Sequence, residues 1–217
     1  MPTDFTRRAR LALSGLVLSL LAGMANAATP TILVLGDSLS AEYGLARGTG
    51  WVALMEQRLQ AENINARVVN ASVSGETTAG GVSRLPALLQ QNHPKVVVVE
   101  LGANDALRGL SLVSTQNNLT KITQASKASG ARVVMVGMLV PPNFGKRYSE
   151  DFAGLFTKVA NAESTALVPF FLKGVADRPD PREWFQADGM HPIAKAHPVI
   201  LENMWPAIKP LLLGRQR

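Results

Sequence analysis

Five short runs of apolar residues recur along the chain, and each of them is rich in Val, Ile or Leu. None of the runs alternates between apolar and polar positions, which indicates strands that are buried on both faces. Burial of this kind is typical of parallel sheets that lie between two layers of helices. The predicted strands are residues 31–35, 66–69, 95–101, 131–139 and 166–171.

Between these runs, apolar residues recur at the spacing of an amphipathic helix. Four segments show it: Val52, Met55 and Leu59; Leu112, Leu119 and Ile122; Phe152, Leu155, Phe156 and Val159; and Leu201, Met204, Trp205 and Ile208. Strands that alternate with helices predict an α/β domain with right-handed crossovers. We expect a three-layer, flavodoxin-like sandwich whose central five-stranded parallel sheet is covered by helices on both faces.

The first 27 residues have the composition of a secretory signal peptide. Three arginines precede the apolar run 11–21, and small residues at 25–27 provide a peptidase site. The run is too short to span a membrane comfortably, and no other apolar segment is as long. We therefore expect Sec-type export, cleavage after Ala27, and one periplasmic or secreted domain over residues 28–217.

Composition narrows the possible functions. The chain has no cysteine, which excludes disulfides, thiolate metal sites and a cysteine nucleophile. The formal net charge is +6, but the Lys and Arg residues are scattered and no run of them is interleaved with aromatic residues. We therefore expect no nucleic-acid partner.

Small polar clusters follow the predicted strands. Ligands bind at the carboxyl ends of strands in sheets of this type, so these clusters should meet on one rim of the domain. They are Gly36-Asp37-Ser38, residues 70–77, Gly102-Ala103-Asn104-Asp105, residues 141–145 and, beyond a Pro-rich loop, Asp188-Gly189-Met190-His191.

Three residues of that rim have the chemistry of a hydroxyl nucleophile site. A serine hydroxyl is too weakly acidic to attack an acyl carbon unaided, so it needs a base, and the base needs an anion that fixes its tautomer. His191 and Asp188 are three residues apart and could supply both to Ser38. Asp37 and Asp105 are expected instead to accept hydrogen bonds within their loops.

Attack by a serine creates an oxyanion, which preplaced hydrogen-bond donors stabilise. The Ser38 backbone N–H is one candidate donor. Gly75 can present a second backbone N–H because no side chain blocks it, and the Asn104 amide is a neutral donor.

At these positions the chain resembles the SGNH hydrolase superfamily, also called the GDSL-type esterases. Four motifs occur in the family's order, and the four letters of its name fall on Ser38, Gly75, Asn104 and His191. The resemblance implies a catalytic triad of Ser38, His191 and Asp188. It also implies an oxyanion hole formed by the N–H groups of Ser38 and Gly75 and by Asn104.

Longer stretches are similar to the bacterial multifunctional thioesterase I/protease I/lysophospholipase group. They are residues 75–81, 83–89, 100–109 and 168–171. The resemblance implies a periplasmic enzyme that hydrolyses acyl esters, thioesters and lysophospholipids without a metal or other cofactor. We expect small-molecule acyl substrates, no stable membrane span in the mature chain, and a monomer.

The group has an apolar groove for the acyl chain beside the serine. Two segments of the rim are the predicted walls of this pocket. The predicted substrate-binding residues are Leu107, Leu110, Val140, Pro141 and Phe144.

Two other functions fit parts of the pattern. Carbohydrate O-acetyl esterases share the four motifs, and such an enzyme would ignore long acyl chains. A lipid- or glycan-binding module with a vestigial triad is favoured by nothing in the sequence, because every catalytic position holds a competent residue. A metal site formed by Asp188, His191 and His197 is not expected, since their spacing is loose and no fourth ligand is near.

Overall fold

The structure is a computed structural model that describes residues 29–214. The predicted signal peptide lies outside the described residues. The strands are β1 (Thr31–Gly36), β2 (Arg67–Asn70), β3 (Val96–Glu100), β4 (Arg132–Val136) and β5 (Ala166–Val168). The α-helices are α1 (Trp51–Ala61), α2 (Thr78–Asn92), α3 (Ala103–Leu107), α4 (Leu112–Ala128), α5 (Lys146–Glu163) and α6 (His197–Leu213).

All strands are parallel and form one sheet in the order β2-β1-β3-β4-β5. Helix α1 packs against α6, whereas α2, α4 and α5 form a separate layer. The predicted flavodoxin-like sandwich is therefore confirmed. The strand order reverses direction between β1 and β3, and such a switch point opens a crevice at the carboxyl ends of the two strands.

Some elements differ from the predicted ones. Strands β4 and β5 end earlier than their apolar runs, at Val136 and Val168. Pro169 has no N–H to extend the ladder of β5. The hydrophobic periodicity does not predict α2, because Gly80, Gly81 and Pro86 interrupt it, nor α3, which has only five residues.

No helix within residues 29–214 is long and apolar enough to cross a membrane.

The first residue of α6 supports the start of α1. His197 is 2% exposed, and its Nδ1 accepts a hydrogen bond from the Trp51 backbone N–H at 3.0 Å. Trp51 begins α1, so the imidazole satisfies one of the helix N–H groups that have no partner within the helix. Burial lowers the pKa of His197, which favours the neutral form of the ring in the folded protein.

Acidification should destabilise the protein through His197. Its pKa lies below 6.5 in the folded protein but near 6.5 in the unfolded chain, so the unfolded chain binds more protons and stability falls as the pH drops below about 7. His197→Gln keeps an acceptor for Trp51 but cannot titrate. Urea denaturation at several pH values should show the variant gaining stability relative to wild type at acid pH; parallel curves would contradict this role.

Candidate active site

The candidate nucleophile lies on a tight turn at the end of β1. The backbone N–H groups of Ser40 and Ala41 donate to the Asp37 carbonyl at 3.2 and 3.0 Å, which closes the turn around Ser38. Ser38 is partly exposed, whereas Asp37 is buried. A reactant can therefore reach the hydroxyl from the rim.

The structure brings Ser38, His191 and Asp188 into hydrogen-bond contact. Ser38 Oγ lies 2.8 Å from His191 Nε2, and His191 Nδ1 lies 2.6 Å from Asp188 Oδ2. The carboxylate accepts the Nδ1 proton, which leaves Nε2 free to accept the Ser38 hydroxyl proton. The sequence predicts these three residues as nucleophile, base and orienting carboxylate, and these roles stay a prediction.

Asp188 is held as a carboxylate by the turn in which it lies. Its Oδ1 accepts the backbone N–H groups of His191 at 3.0 Å and Met190 at 2.9 Å. These bonds, that of His191 first, lower the pKa of Asp188 to about 2. The group is therefore ionised at neutral pH and fixes both the backbone and the imidazole of His191.

The aromatic ring of Tyr43 covers the imidazole of His191, a contact that the sequence does not predict. The rings of Tyr43 and His191 lie 4.4 Å apart between centroids at an angle of 39°. Gln186 joins the two loops: its Nε2 donates to the Tyr43 carbonyl at 2.9 Å, and its backbone N–H donates to the His191 carbonyl at 2.7 Å. No sequence motif indicates this contact, because Tyr43 and Gln186 are 143 positions apart in the chain.

Two backbone N–H groups near the nucleophile are free. Within residues 29–214, the N–H groups of Ser38 and Gly75 donate to no acceptor. Gly75 has a φ of 78°, a region that favours glycine. Its loop runs beside the end of β1, because the Val73 N–H donates to the Gly36 carbonyl at 3.0 Å. Arg108 Nη2 donates to the Gly75 carbonyl at 2.7 Å and ties this loop to the one that follows β3.

The Asn104 amide reaches the nucleophile turn. Its Nδ2 donates one hydrogen to Asp37 Oδ2 at 3.0 Å, which leaves the second hydrogen available. Asp37 Oδ1 accepts the Leu39 N–H at 3.0 Å, so Asp37 is an acceptor within the turn, as predicted. Burial raises the pKa of Asp37 to about 6.

Asp105 joins the loops that carry Gly75 and Asn104. Its carboxylate is buried and accepts the Thr78 N–H at 2.8 Å, the Thr78 hydroxyl at 2.5 Å and the Thr115 hydroxyl at 3.1 Å. The loops after β2 and β3 are thereby fixed relative to each other. Asp105 is thus an acceptor rather than a partner of the imidazole, but its donors lie in α2 and α4 and not, as predicted, within its own loop.

Exposed apolar side chains are concentrated in the segments at the edge of the sheet that carries the site. Within residues 29–214, seven of the eight exposed large hydrophobic side chains lie in segments that follow the carboxyl ends of the strands. We call these seven the apolar rim: Tyr43, Val73, Leu107, Leu110, Val113, Leu139 and Met190. Exposed apolar patches of this kind commonly mark a binding site.

The predicted acyl-pocket residues occupy two parts of this edge. Leu107 and Leu110 belong to the apolar rim and are 47% and 41% exposed. Val140 is half-buried and Pro141 is exposed in the loop after β4. Phe144 stacks on the Tyr148 ring at 5.7 Å. Their contact with an acyl chain stays a prediction.

A cleft of about 750 Å³ lies along β5 and α6, away from this site. Its lining includes Lys127, Arg132, Thr165 and Asn203 but none of the three triad residues. The cleft is therefore separate from the triad.

Comparison with known proteins shows the family of this chain. The sequence model of the GDSL-like lipase/acylhydrolase family matches residues 34–199. Esterase TesA of Pseudomonas aeruginosa is 52% identical over 186 residues, which cover 86% of this chain and 91% of the relative. Thioesterase 1/protease 1/lysophospholipase L1 of Escherichia coli is 41% identical over 186 residues, 86% of each chain.

Among solved structures, a crystal structure of TesA superposes with a TM-score of 0.80 at 51% identity and covers 83% of this chain and 99% of that one. The family match spans most of the described residues, and the relatives are covered over nearly their whole length. The resemblance predicted from the sequence is confirmed, and the chain belongs to the GDSL-like lipase/acylhydrolase family, that of the SGNH hydrolases.

Proposed function

We propose that this protein is a serine esterase that hydrolyses acyl esters and thioesters through a covalent acyl-enzyme. The observation that carries the proposal is the continuous contact from Ser38 Oγ through His191 to Asp188, at 2.8 and 2.6 Å. The relatives named esterase and thioesterase/lysophospholipase support the same chemistry.

In the first half-reaction, Ser38 Oγ attacks the acyl carbon of the substrate while its proton moves to His191 Nε2. The new bond joins Oγ to the acyl carbon, and the bond to the leaving alcohol or thiol breaks. The leaving group takes the proton from His191. Asp188 remains ionised and stabilises the imidazolium that forms between the two transfers.

In the second half-reaction, a water molecule gives a proton to His191 and attacks the acyl carbon. The acyl bond to Ser38 breaks, and Oγ recovers its proton from His191 as the carboxylic acid leaves. In both steps, the free N–H groups of Ser38 and Gly75 and the unused hydrogen of Asn104 are the donors for the oxyanion.

Replacing Asn104 by alanine should lower kcat by about 10²–10³-fold, because one oxyanion donor is lost while Ser38 and His191 remain. Acylation should slow without being abolished. The matched control is Asn203→Ala, because the Asn203 amide donates to two backbone carbonyls outside the site. Equal kcat values for the two variants would show that Asn104 is not a donor of the oxyanion hole.

The apolar rim favours substrates with an aliphatic chain. A chain lying across Leu107 and Leu110 would bury side chains that are otherwise exposed. Acyl thioesters and lysophospholipids provide such a chain, whereas an acetyl group does not. We therefore favour an acyl esterase, thioesterase and lysophospholipase over a carbohydrate O-acetyl esterase.

The test is an assay of residues 28–217 with p-nitrophenyl esters from acetate to palmitate, followed by an acyl-CoA and a lysophosphatidylcholine. We expect activity on medium and long chains, and insensitivity to a metal chelator. Activity on acetate alone would favour the carbohydrate O-acetyl esterase. A folded but inactive protein would contradict the proposed hydrolysis.

We also propose that the chain is exported and acts as a periplasmic or secreted monomer. The support is the arginine-led apolar run 11–21 and the small residues at 25–27. The mass of the protein recovered from a periplasmic extract should correspond to a chain that begins at Ala28, and its elution volume to one copy. A full-length mass would contradict export with cleavage after Ala27. An elution volume that corresponds to a dimer would contradict the monomer.

A further inference from the structure

A buried carboxyl group lies directly behind the nucleophile turn and takes no part in the proton transfers described above. Glu100 is the last residue of β3, pairs in register with Gly36 of β1, and is 1% exposed. A buried carboxyl group is costly unless it is hydrogen-bonded. The hydrogen-bond partners of Glu100 therefore indicate the function of this buried carboxyl group.

Both partners of Glu100 lie in the turn that presents the nucleophile. Its Oε2 accepts the Ser40 hydroxyl at 2.7 Å and the Asp37 backbone N–H at 3.3 Å. Asp37 and Ser40 lie on either side of Ser38 along the chain. A single carboxyl oxygen thus holds the turn on both sides of the serine.

Ser40 connects this carboxyl group to two further elements. Its Oγ accepts the indole N–H of Trp51, the first residue of α1, at 3.1 Å. Its carbonyl accepts Nδ2 of Asn70, the last residue of β2, at 2.8 Å. The nucleophile turn is therefore fixed from β2, β3 and α1 together.

The close approach of Glu100 also explains the glycine that precedes the turn. A Cβ atom on Gly36 would lie 2.8 Å from Glu100 Oε2 and 2.9 Å from Ser40 Oγ, which is too close for any side chain. The carboxyl group occupies the volume that a side chain at position 36 would need. Gly36, Ser40 and Glu100 are thus packed as one unit.

The electrostatic environment of Glu100 favours the uncharged form of its carboxyl group. Burial, and then the nearby Asp37, raise the pKa of Glu100 well above its ordinary value. The raised pKa favours the uncharged form, which places no negative charge behind the site where the oxyanion forms. Its role is to accept hydrogen bonds rather than to transfer a proton.

We propose that Glu100 is a positioning residue that holds Ser38 in its attacking geometry by accepting hydrogen bonds from Asp37 and Ser40. This inference rests on the proposed function of Ser38 as nucleophile. Misplacement of a reacting group by about 1 Å can cost on the order of 10²-fold in rate, so the loss of these two bonds should reduce catalysis more than substrate binding.

The experiment compares Glu100→Leu with Glu100→Gln. The leucine variant leaves the Asp37 N–H and the Ser40 hydroxyl without their acceptor, and kcat should fall by about 10²-fold with little change in KM. The glutamine variant keeps a neutral acceptor oxygen and should restore most of kcat. The rate at which an alkyl phosphonate inactivates Ser38 should follow the same order.

A control separates positioning from general stability. Thr123→Val removes a buried hydrogen bond to the Leu119 carbonyl within α4 and should lower the melting temperature without changing kcat. If Glu100→Leu does not fold, Ser40→Ala replaces it, since it removes one of the two bonds to Glu100. The phosphonate rate of Ser40→Ala should then fall by about tenfold.

Two results would overturn the inference, and they are distinguishable. In the first result, Glu100→Leu (or Ser40→Ala in its place) keeps the same kcat and phosphonate rate as the control Thr123→Val, while Ser38→Ala is inactive. That result would remove the role of Glu100 alone. Activity that survives in Ser38→Ala would remove the proposed nucleophile and the role of Glu100 with it.

Discussion

Replacing Ser38 by alanine should abolish turnover, with a fall in kcat of about 10⁶-fold on every ester that the wild type hydrolyses. The variant lacks the only atom that can form the acyl-enzyme in the proposed mechanism. The fold should be unaffected, because within residues 29–214 Ser38 Oγ forms a hydrogen bond only with His191 and the residue is partly exposed. Initial rates and a melting curve for each purified protein measure the two effects separately.

The matched control for this variant is Ser129→Ala. Ser129 follows α4, and its hydroxyl donates to the Ser126 carbonyl, so its loss touches no residue of the triad. The control should keep its activity and its reactivity toward a phosphonate, whereas Ser38→Ala should form no phosphonyl adduct detectable by mass spectrometry. An adduct on another residue of Ser38→Ala would show that the nucleophile lies elsewhere.

The second large effect is expected for Asp188→Asn, with a fall in kcat of about 10⁴-fold. An asparagine amide in this place can donate a hydrogen to His191 Nδ1, which moves the ring proton to Nε2. That nitrogen then cannot accept the proton of Ser38, although all three side chains keep their positions. KM should change little, because Asp188 does not contact the substrate in the proposed mechanism.

Asp177→Asn is the control for the loss of a carboxylate. Asp177 also accepts a backbone N–H, that of Gly174 at 2.5 Å, but within residues 29–214 it forms no hydrogen bond with a histidine. The pH profile of the wild type provides a second check. The pKa of Asp188 is about 2, so its protonation should cause no loss of activity above about pH 3. Full activity in Asp188→Asn would exclude Asp188 as the orienting carboxylate.

The fold was predictable where the pattern of burial is simple. Strands β1 and β3 are buried along their entire length, so their sequences are continuous apolar runs that no surface strand would carry. Helix α5 has one apolar face, and its spacing shows in the sequence. Helix α2 was not predictable in this way, because its glycines and proline hide the period. Tertiary packing of Gly81 and Leu85 stabilises it instead.

The candidate site was predictable where the chemistry requires particular residue types at strand ends. Ser38, Asn104 and His191 follow from the rule that the carboxyl ends of parallel strands share one rim, and from the family's motifs. Tyr43 and Glu100 were not predictable. The sequence presents them as an aromatic residue in a loop and as the last residue of an apolar run.

The class of fold, the family and the candidate reacting groups could be read from the amino-acid sequence alone. These properties depend on local periodicity and on motifs of a few residues, which can be read without coordinates. The support of those groups became visible only in the folded chain: Tyr43 covers His191, Asp105 joins two loops, and Glu100 lies behind Ser38. These contacts join residues far apart in the chain, and their partners are set by the packing of the whole sheet rather than by any local pattern.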